Sequence, residues 1–390
     1  MKLNKSPFTI EIINKRRSRL EIQLKAAGSG TKVSKNGPGI KDIKAWIVRE
    51  PVSGRTYTIL RIDSLNGLTG YGECAELSIS EFSEARKIIT GIPITSFEAI
   101  LPMLVHCPTA RAGLNIAMLD IAGKIYGVPV FQFLGGPTRS KARVFTTLSG
   151  DTDEEIVSSM KKARNSGYMA FLVPVPSIKN QNQGQAYVTS VLMRLESLRS
   201  AGGENVDFIL DGKNSLKPGD AQMISAAIEK FHVLWFNEPC LQSNIGAIKK
   251  IAGENVTPVG LGRFVREGGE LQDMLREDSV DIVRPDIGLN GISQLRRMAA
   301  IAEIYYVAMG PTHDGGPVGT AAALHLAASI PNFFIQQIPL PDAEEDLLMR
   351  KELTSLSEIA TEGFMELPKA PGLGITINEK AIEKYSVSSL

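Results

Sequence analysis

Cysteine is scarce in this chain: Cys74, Cys107 and Cys240 are the only three in 390 residues. They are too few and too scattered for a disulfide framework or a structural zinc site, so the chain reads as one from a reducing compartment with its thiols buried as small apolar groups. Long hydrophobic runs are missing too. Nothing approaches the roughly 20 apolar residues that span a bilayer. Lys15 to Arg19 break the stretch that a secretory leader would need, so cytoplasmic residence is expected. Nor is there an excess of charge: 43 Lys plus Arg face 42 Asp plus Glu, for a formal net charge of +1. Such a balance offers no extended footprint for nucleic acid or an anionic membrane, and a small or local partner fits it better. What is present is a 43% hydrophobic content, enough to bury a full core in one large or two ordinary domains.

Residues 1–38 stand apart, with apolar runs at Phe8 to Ile13 and Leu20 to Leu24 around the basic turn; they predict a hairpin followed by a flexible join. From Ile43 to Glu50, Thr56 to Asp63 and Gly70 to Cys74 the alternation predicts strands, with a turn at Asn66-Gly67. Helical spacing follows over Ser83 to Ile89, Ser96 to Leu104 and Ala110 to Tyr126, the last ended by Gly127 and Pro129. Strands followed by helices predict an α+β unit over 39–140.

From Lys141 the rhythm changes. Ala142 to Leu148, Tyr168 to Val175, Val206 to Gly212, Val233 to Glu238, Pro258 to Gly262, Asp281 to Asp286, Tyr305 to Gly310 and Phe333 to Ile338 read as eight strands. Helical stretches such as Glu154 to Asn165, Ala186 to Arg199, Ala221 to Lys230, Ile292 to Ile304 and Thr320 to Ala328 separate most of them. Over 141–340 this predicts a parallel barrel with its working face at the carboxyl ends of the strands. The polar residues at those ends are Asp211, Asn237, Arg263, Asp286 and His313, at intervals of 26, 26, 23 and 27 residues, with Gln336 and Gln337 on the last strand. One βα unit separates each from the next, so they should converge on one mouth. There Asp286 and His313 can make a carboxylate–imidazole pair, a general base. Gly268-Gly269 is not a phosphate loop, because no Gly-Lys-Ser/Thr pattern follows.

Three runs carry a family resemblance. Ala117 to Lys124 with Gly127 to Val130 and Leu134-Gly135-Gly136, then Arg284-Pro285-Asp286 with Asn290-Gly291-Ile292, then Pro371 to Ile375 with Asn378-Glu379 together resemble the mandelate racemase branch of the enolase superfamily, which includes the muconate lactonizing enzymes. The resemblance covers residues 40–390. It implies a modified TIM (β/α)7β barrel with an α+β capping domain formed from the N-terminal part and the C-terminal tail, so residues 341–390 should complete the cap. Arg49 to Arg55 and Cys74 to Phe82 would be lid segments. The chemistry implied is abstraction of the proton next to a carboxylate, with magnesium stabilising the enediolate, and relatives often assemble as homo-oligomers.

The family pattern is not kept throughout. Its three acidic metal ligands fall on Asp211, Asn237 and Arg263, and the paired acids before a proline have become Asn237-Glu238-Pro239. Any magnesium would have Asp211, Asn237 and Glu238 to draw on. The usual second-strand lysines are replaced by Leu172-Val173-Pro174. With Asp211, Arg263 and Lys213 summing to about +1 by ordinary ionisation, a divalent ion would be repelled. The expectation is that Arg263 pairs with Asp211, that Arg263 and Lys213 bind a substrate carboxylate, that His313 with Asp286 moves its α-proton, and that Gln336 and Gln337 hydrogen-bond the developing oxyanion. The reaction expected is that of an acid-sugar dehydratase or a racemase/epimerase. The alternative is a non-catalytic relative that binds a carboxylate metabolite or a protein partner.

Overall fold

In the computed structural model, which describes residues 37–177, 184–266 and 268–390, β1 (Ile40–Arg49), β2 (Thr56–Ser64) and β3 (Thr69–Cys74) form an antiparallel meander. Alternation puts Ile43, Ala45, Leu60 and Ile62 in a small core with the helix Pro108–Tyr126. Proline at the start of that helix and Gly127 in the left-handed conformation at its end set its limits. The hairpin expected before residue 25 lies outside the described residues.

Eight short parallel strands follow. They are β4 (Lys141–Thr147), β5 (Ala170–Pro174), β6 (Asp207–Asp211), β7 (Phe236–Asn237), β8 (Val259–Leu261), β9 (Ile282–Val283), β10 (Ala308–Met309) and β11 (Gln336–Gln337). Each pairs with the next from β4 to β10, β11 pairs with β4, and a bridge between Met309 and Phe333 joins the two ends. The ring is filled: Phe145, Leu172, Ile209, Trp235, Ile282 and Ile335 form an inner cluster, so the barrel is a packed core with a working mouth. Several strands are shorter than their apolar runs. Tyr305, for example, caps the helix Ile287–Ile304 instead of entering β10, because loop and cap hydrogen bonds claim the ends of the run.

After β11 come the helix Glu344–Leu353, β12 (Phe364–Glu366) against β4, the helix Glu379–Tyr385 and β13 (Ser386–Ser389) against β1. Both halves of the described chain thus contribute to the cap sheet, whose order is β13-β1-β2-β3. Asp346 accepts from the backbone N–H groups of Val52 and Ser53 at 2.8 Å each, which ties the β1–β2 loop to the helix Glu344–Leu353. No described helix is long and apolar enough to cross a membrane.

Candidate active site

Parallel packing carries the ends of β6 to β11 to one mouth, and the polar side chains there form a continuous relay. Asp211 Oδ1 accepts from Asn237 Nδ2 at 2.7 Å and from the Lys213 backbone N–H at 3.1 Å. Asn237 Oδ1 accepts from Arg284. Arg284 in turn donates to Gln337 Oε1 at 2.6 Å and to Gly310 O at 3.3 Å. Gln337 Nε2 donates to Asp314 Oδ1 at 3.0 Å, and Asp314 holds the Arg263 guanidinium.

Arg284 is the centre of this relay, and no sequence signal pointed to it beyond its place in the Arg-Pro-Asp motif. It is 1% exposed, inside the barrel, with its guanidinium 5.4 Å from the ring centroids of both Phe145 and Trp235. Burial pulls its pKa down to about 10, against the opposing charges of Glu238 and Asp211; it stays a cation at neutral pH. Glu238, also buried, accepts from the backbone N–H groups of Gly262 and Arg263 at 3.0 and 3.1 Å and so shapes the loop that carries Arg263. Burial raises its pKa.

Above the mouth a cleft of about 160 Å³ separates barrel from cap. The barrel wall contributes Arg263, Phe264, Asp286, Leu289 and Asp314; the cap contributes Thr56, Tyr57, Glu73 and Cys74. Asp286 caps the helix Ile287–Ile304, accepting from Leu289 N–H at 3.0 Å, and its Oδ2 accepts from the Thr312 hydroxyl at 3.1 Å. Burial and the neighbouring Asp314 carboxylate push its pKa up to about 7, opposed by Arg263.

On the cap side, Glu73 reaches into the N-terminus of the helix Pro317–Ala327, where its carboxylate accepts from the N–H groups of Gly316 and Gly319. A Cβ on Gly315, Gly316 or Gly319 would collide with Glu73, Tyr57 or His313; these glycines form the socket. Burial lifts the Glu73 carboxyl to about 7. Arg350 lies behind it, 2% exposed, and bridges Glu358 (2.6 and 2.7 Å), Glu50 (2.6 Å) and the Gly315 carbonyl (2.9 Å). Burial alone would lower its pKa, but Glu358 and Glu50 hold it well above the ordinary arginine value.

Several expected contacts are replaced. Asp286 and His313 do not pair: His313 Nε2 donates to Gly316 O at 2.8 Å and Nδ1 accepts from Gly315 N–H at 3.4 Å, so its own loop satisfies the ring. Burial and Arg350 bring the His313 pKa down to about 4. Arg263 pairs with Asp314 rather than Asp211, because Asp211 is already held by Asn237. Lys213 meets Asp211 only through its backbone, and its side chain is exposed and off the cleft. Gln337 spends its amide on Arg284, Asp314 and Thr147, while Gln336 Nε2 donates to Pro311 O and Gln337 O, so neither presents a donor to the cleft. Asp314, Glu73 and Arg350 were not read from the sequence; their partners lie as far as 300 positions away, beyond any local pattern.

A magnesium ion does not fit these donors. Hard dications take carboxylate and carbonyl oxygens, but at this mouth Asn237 turns its amide N–H toward Asp211 and its oxygen toward Arg284. Glu238 is held by backbone N–H groups through Oε1, and its Oε2, buried without a hydrogen-bond partner, does not by itself make a metal site. Among the described residues no three His, Cys, Asp or Glu side chains are grouped to hold a metal.

A family model described as Enolase C-terminal domain-like matches residues 155–381, more than half of the chain. The D-galactonate dehydratase of Ralstonia pickettii (strain 12J) is 26% identical over 85% of this chain and 91% of its own length. A D-mannonate dehydratase of Caulobacter vibrioides is 25% identical over 85% and 92%, and the D-xylonate dehydratase of Haloferax volcanii is 27% identical over 72% and 70%. Among solved structures, a mandelate racemase/muconate lactonizing enzyme-like protein from Rubrobacter xylanophilus DSM 9941 superimposes with a TM-score of 0.80 at 22% identity, covering 90% of this chain and 98% of its own. That likeness shows the barrel-and-cap fold.

Proposed function

The chain belongs to the enolase superfamily, and from that premise we propose that it is a lyase of the dehydratase type acting on an acid sugar or related hydroxy acid. Dehydration of such a substrate breaks the C–H bond next to the carboxylate and the neighbouring C–OH bond. Water leaves, and the resulting enol rearranges to a keto acid. The observation that carries the reading is Asp286, a cleft-lining carboxyl whose pKa is pushed up to about 7. A group titrating near the working pH serves well as both base and acid.

In this reading Asp286 takes the α-proton and returns a proton to the departing hydroxyl. Arg263, the cleft's own cation, holds the substrate carboxylate and the charge that develops on it. The finer version, with His313 as base, requires the ring to leave Gly316 O, and the geometry favours Asp286. An epimerase would share the first step and omit the loss of hydroxyl. The dehydratase relatives, which match most of the chain, favour elimination. Homo-oligomeric assembly is part of the proposal, and sedimentation of the full chain tests it.

The test is a panel of acid sugars in D₂O followed by proton NMR. Loss of the C2 proton signal and appearance of a keto acid are expected, and Asp286→Asn should slow both by about 100-fold or more. A second reading, a non-catalytic carboxylate binder, is favoured by Asn237 and Arg263 standing where acidic ligands are expected. Saturable binding of a panel member with neither exchange nor product would decide for it.

A further inference from the structure

The mouth of this barrel contains a cation that is 1% exposed and does not line the cleft. We propose that Arg284 is the positioning residue of the site: its fixed guanidinium does the charge-balancing that a divalent ion would otherwise do, and through two amides it holds Asp211 on one side and Arg263 on the other. The proposal rests on reading the cleft as the substrate site.

Three observations support it. First, Arg284 is built in: it sits against the edge-to-face pair of Phe145 and Trp235, and its donors go to Asn237, Gln337 and Gly310. Second, the amides are oriented by it. Because the oxygens of Asn237 and Gln337 face Arg284, their N–H groups face outward, toward Asp211 and toward Asp314. Each carboxylate therefore receives a donor in a fixed place, as it would from a metal-bound water. Third, the relay ends at the cleft: Asp314 is the side chain that holds Arg263. A charged group in the barrel interior thus sets the direction of the cation offered to the substrate.

Such an arrangement also explains why Asn237 is an amide. An acid there could accept from Arg284 but could not donate to Asp211, and the two carboxylates would repel. Asn237 and Arg284 are a matched pair, and changing both should reopen the site to a cation.

Calorimetric titration of the full chain with MgCl₂ alone tests this without any substrate, so its outcome is separate from that of the dehydratase reading. Wild type should show no stoichiometric binding; one-site binding by wild type would overturn the proposal. The double variant Asn237→Asp with Arg284→Gln restores an acid and removes the cation, and it should gain one-site Mg²⁺ binding that wild type lacks, as added ligand charge dictates. A folded double variant as indifferent to Mg²⁺ as wild type would also overturn it. If the variant does not fold, the wild-type titration decides alone. Its companion readout is Arg263: in Arg284→Lys, which keeps the charge but cannot bridge both amides, affinity for a bound acid sugar should fall several-fold with kcat less affected, while the melting temperature stays near that of wild type. Equal losses in kcat and affinity tracking a loss of fold would assign Arg284 a merely structural part.

Discussion

Of the four buried arginines among the described residues, the two most buried, Arg350 and Arg284, are buried in opposite ways. Arg350 sits at the junction of cap, C-terminal segment and barrel with two carboxylates, Glu50 and Glu358, on its guanidinium; its charge is locked in place. Arg284 sits at the barrel mouth with amide oxygens, a carbonyl and two aromatic rings, and burial draws its pKa down to about 10. The first is an ion-pair clamp that fastens domains. The second is a cation whose opposing carboxylates stand one hydrogen bond further out, where they shape a site. A buried charge paired directly serves the fold; one paired through neutral relays leaves its field to act on what lies beyond.

The sharpest way to break the comparison is to remove each guanidinium. Arg350→Met leaves Glu358 buried without its ion-pair partner and Glu50 with Arg55 alone, and should destabilise the chain by about 3–5 kcal/mol, measured by denaturant unfolding. Arg284→Met leaves Gln337 Oε1 unpaired and Asn237 Oδ1 with only the Trp235 Nε1–H at 3.3 Å, beside rings that accept an apolar side chain, and should cost about 1–3 kcal/mol. Equal losses would erase the distinction between clamp and relay.

A smaller effect sharpens the picture at the cap socket. The Glu73 carboxyl is held at about 7 against 4.5 for an ordinary glutamate. Its contribution to stability is therefore complete below pH 4.5 and is lost as pH rises through about 7. Asp286, raised from 3.8 to about 7, acts in the same direction. His313, lowered from 6.5 to about 4, acts in the other, losing its contribution as pH falls. Glu73→Gln should flatten the decline in melting temperature between about pH 5 and 8, leaving the share due to Asp286; an unchanged slope would mean that Glu73 carries no proton there. Smallest of all, Lys213→Ala should leave both melting temperature and ligand affinity unchanged, since only the backbone of that residue touches the mouth.

The barrel was legible because each strand is an apolar run between turn signals, and regular intervals then placed Asp211, Asn237, Arg263 and Asp286 at one mouth. Pairing within the mouth was not legible. Interval arithmetic brings side chains to a rim but cannot say which neighbour each will choose, and Asp314, one residue past His313, took the Arg263 that had been assigned to Asp211. Arg284 left a faint trace: two positions before Asp286, strand alternation directs a charged residue inward, where it must have partners. Glu73 left a similar trace as an acid inside β3, whose residues from Gly70 to Cys74 are all buried. Glu50 and Arg350 left none, being joined only by the fold.

The central claim is that this cleft performs proton transfer on a hydroxy acid with its own arginines supplying the positive charge. Turnover of the acid-sugar panel, followed by proton NMR with and without a strong chelator, tests it most directly. The account predicts keto-acid formation that the chelator does not diminish and that Asp286→Asn slows by about 100-fold or more. Activity that vanishes with chelator and returns on adding Mg²⁺ would contradict it.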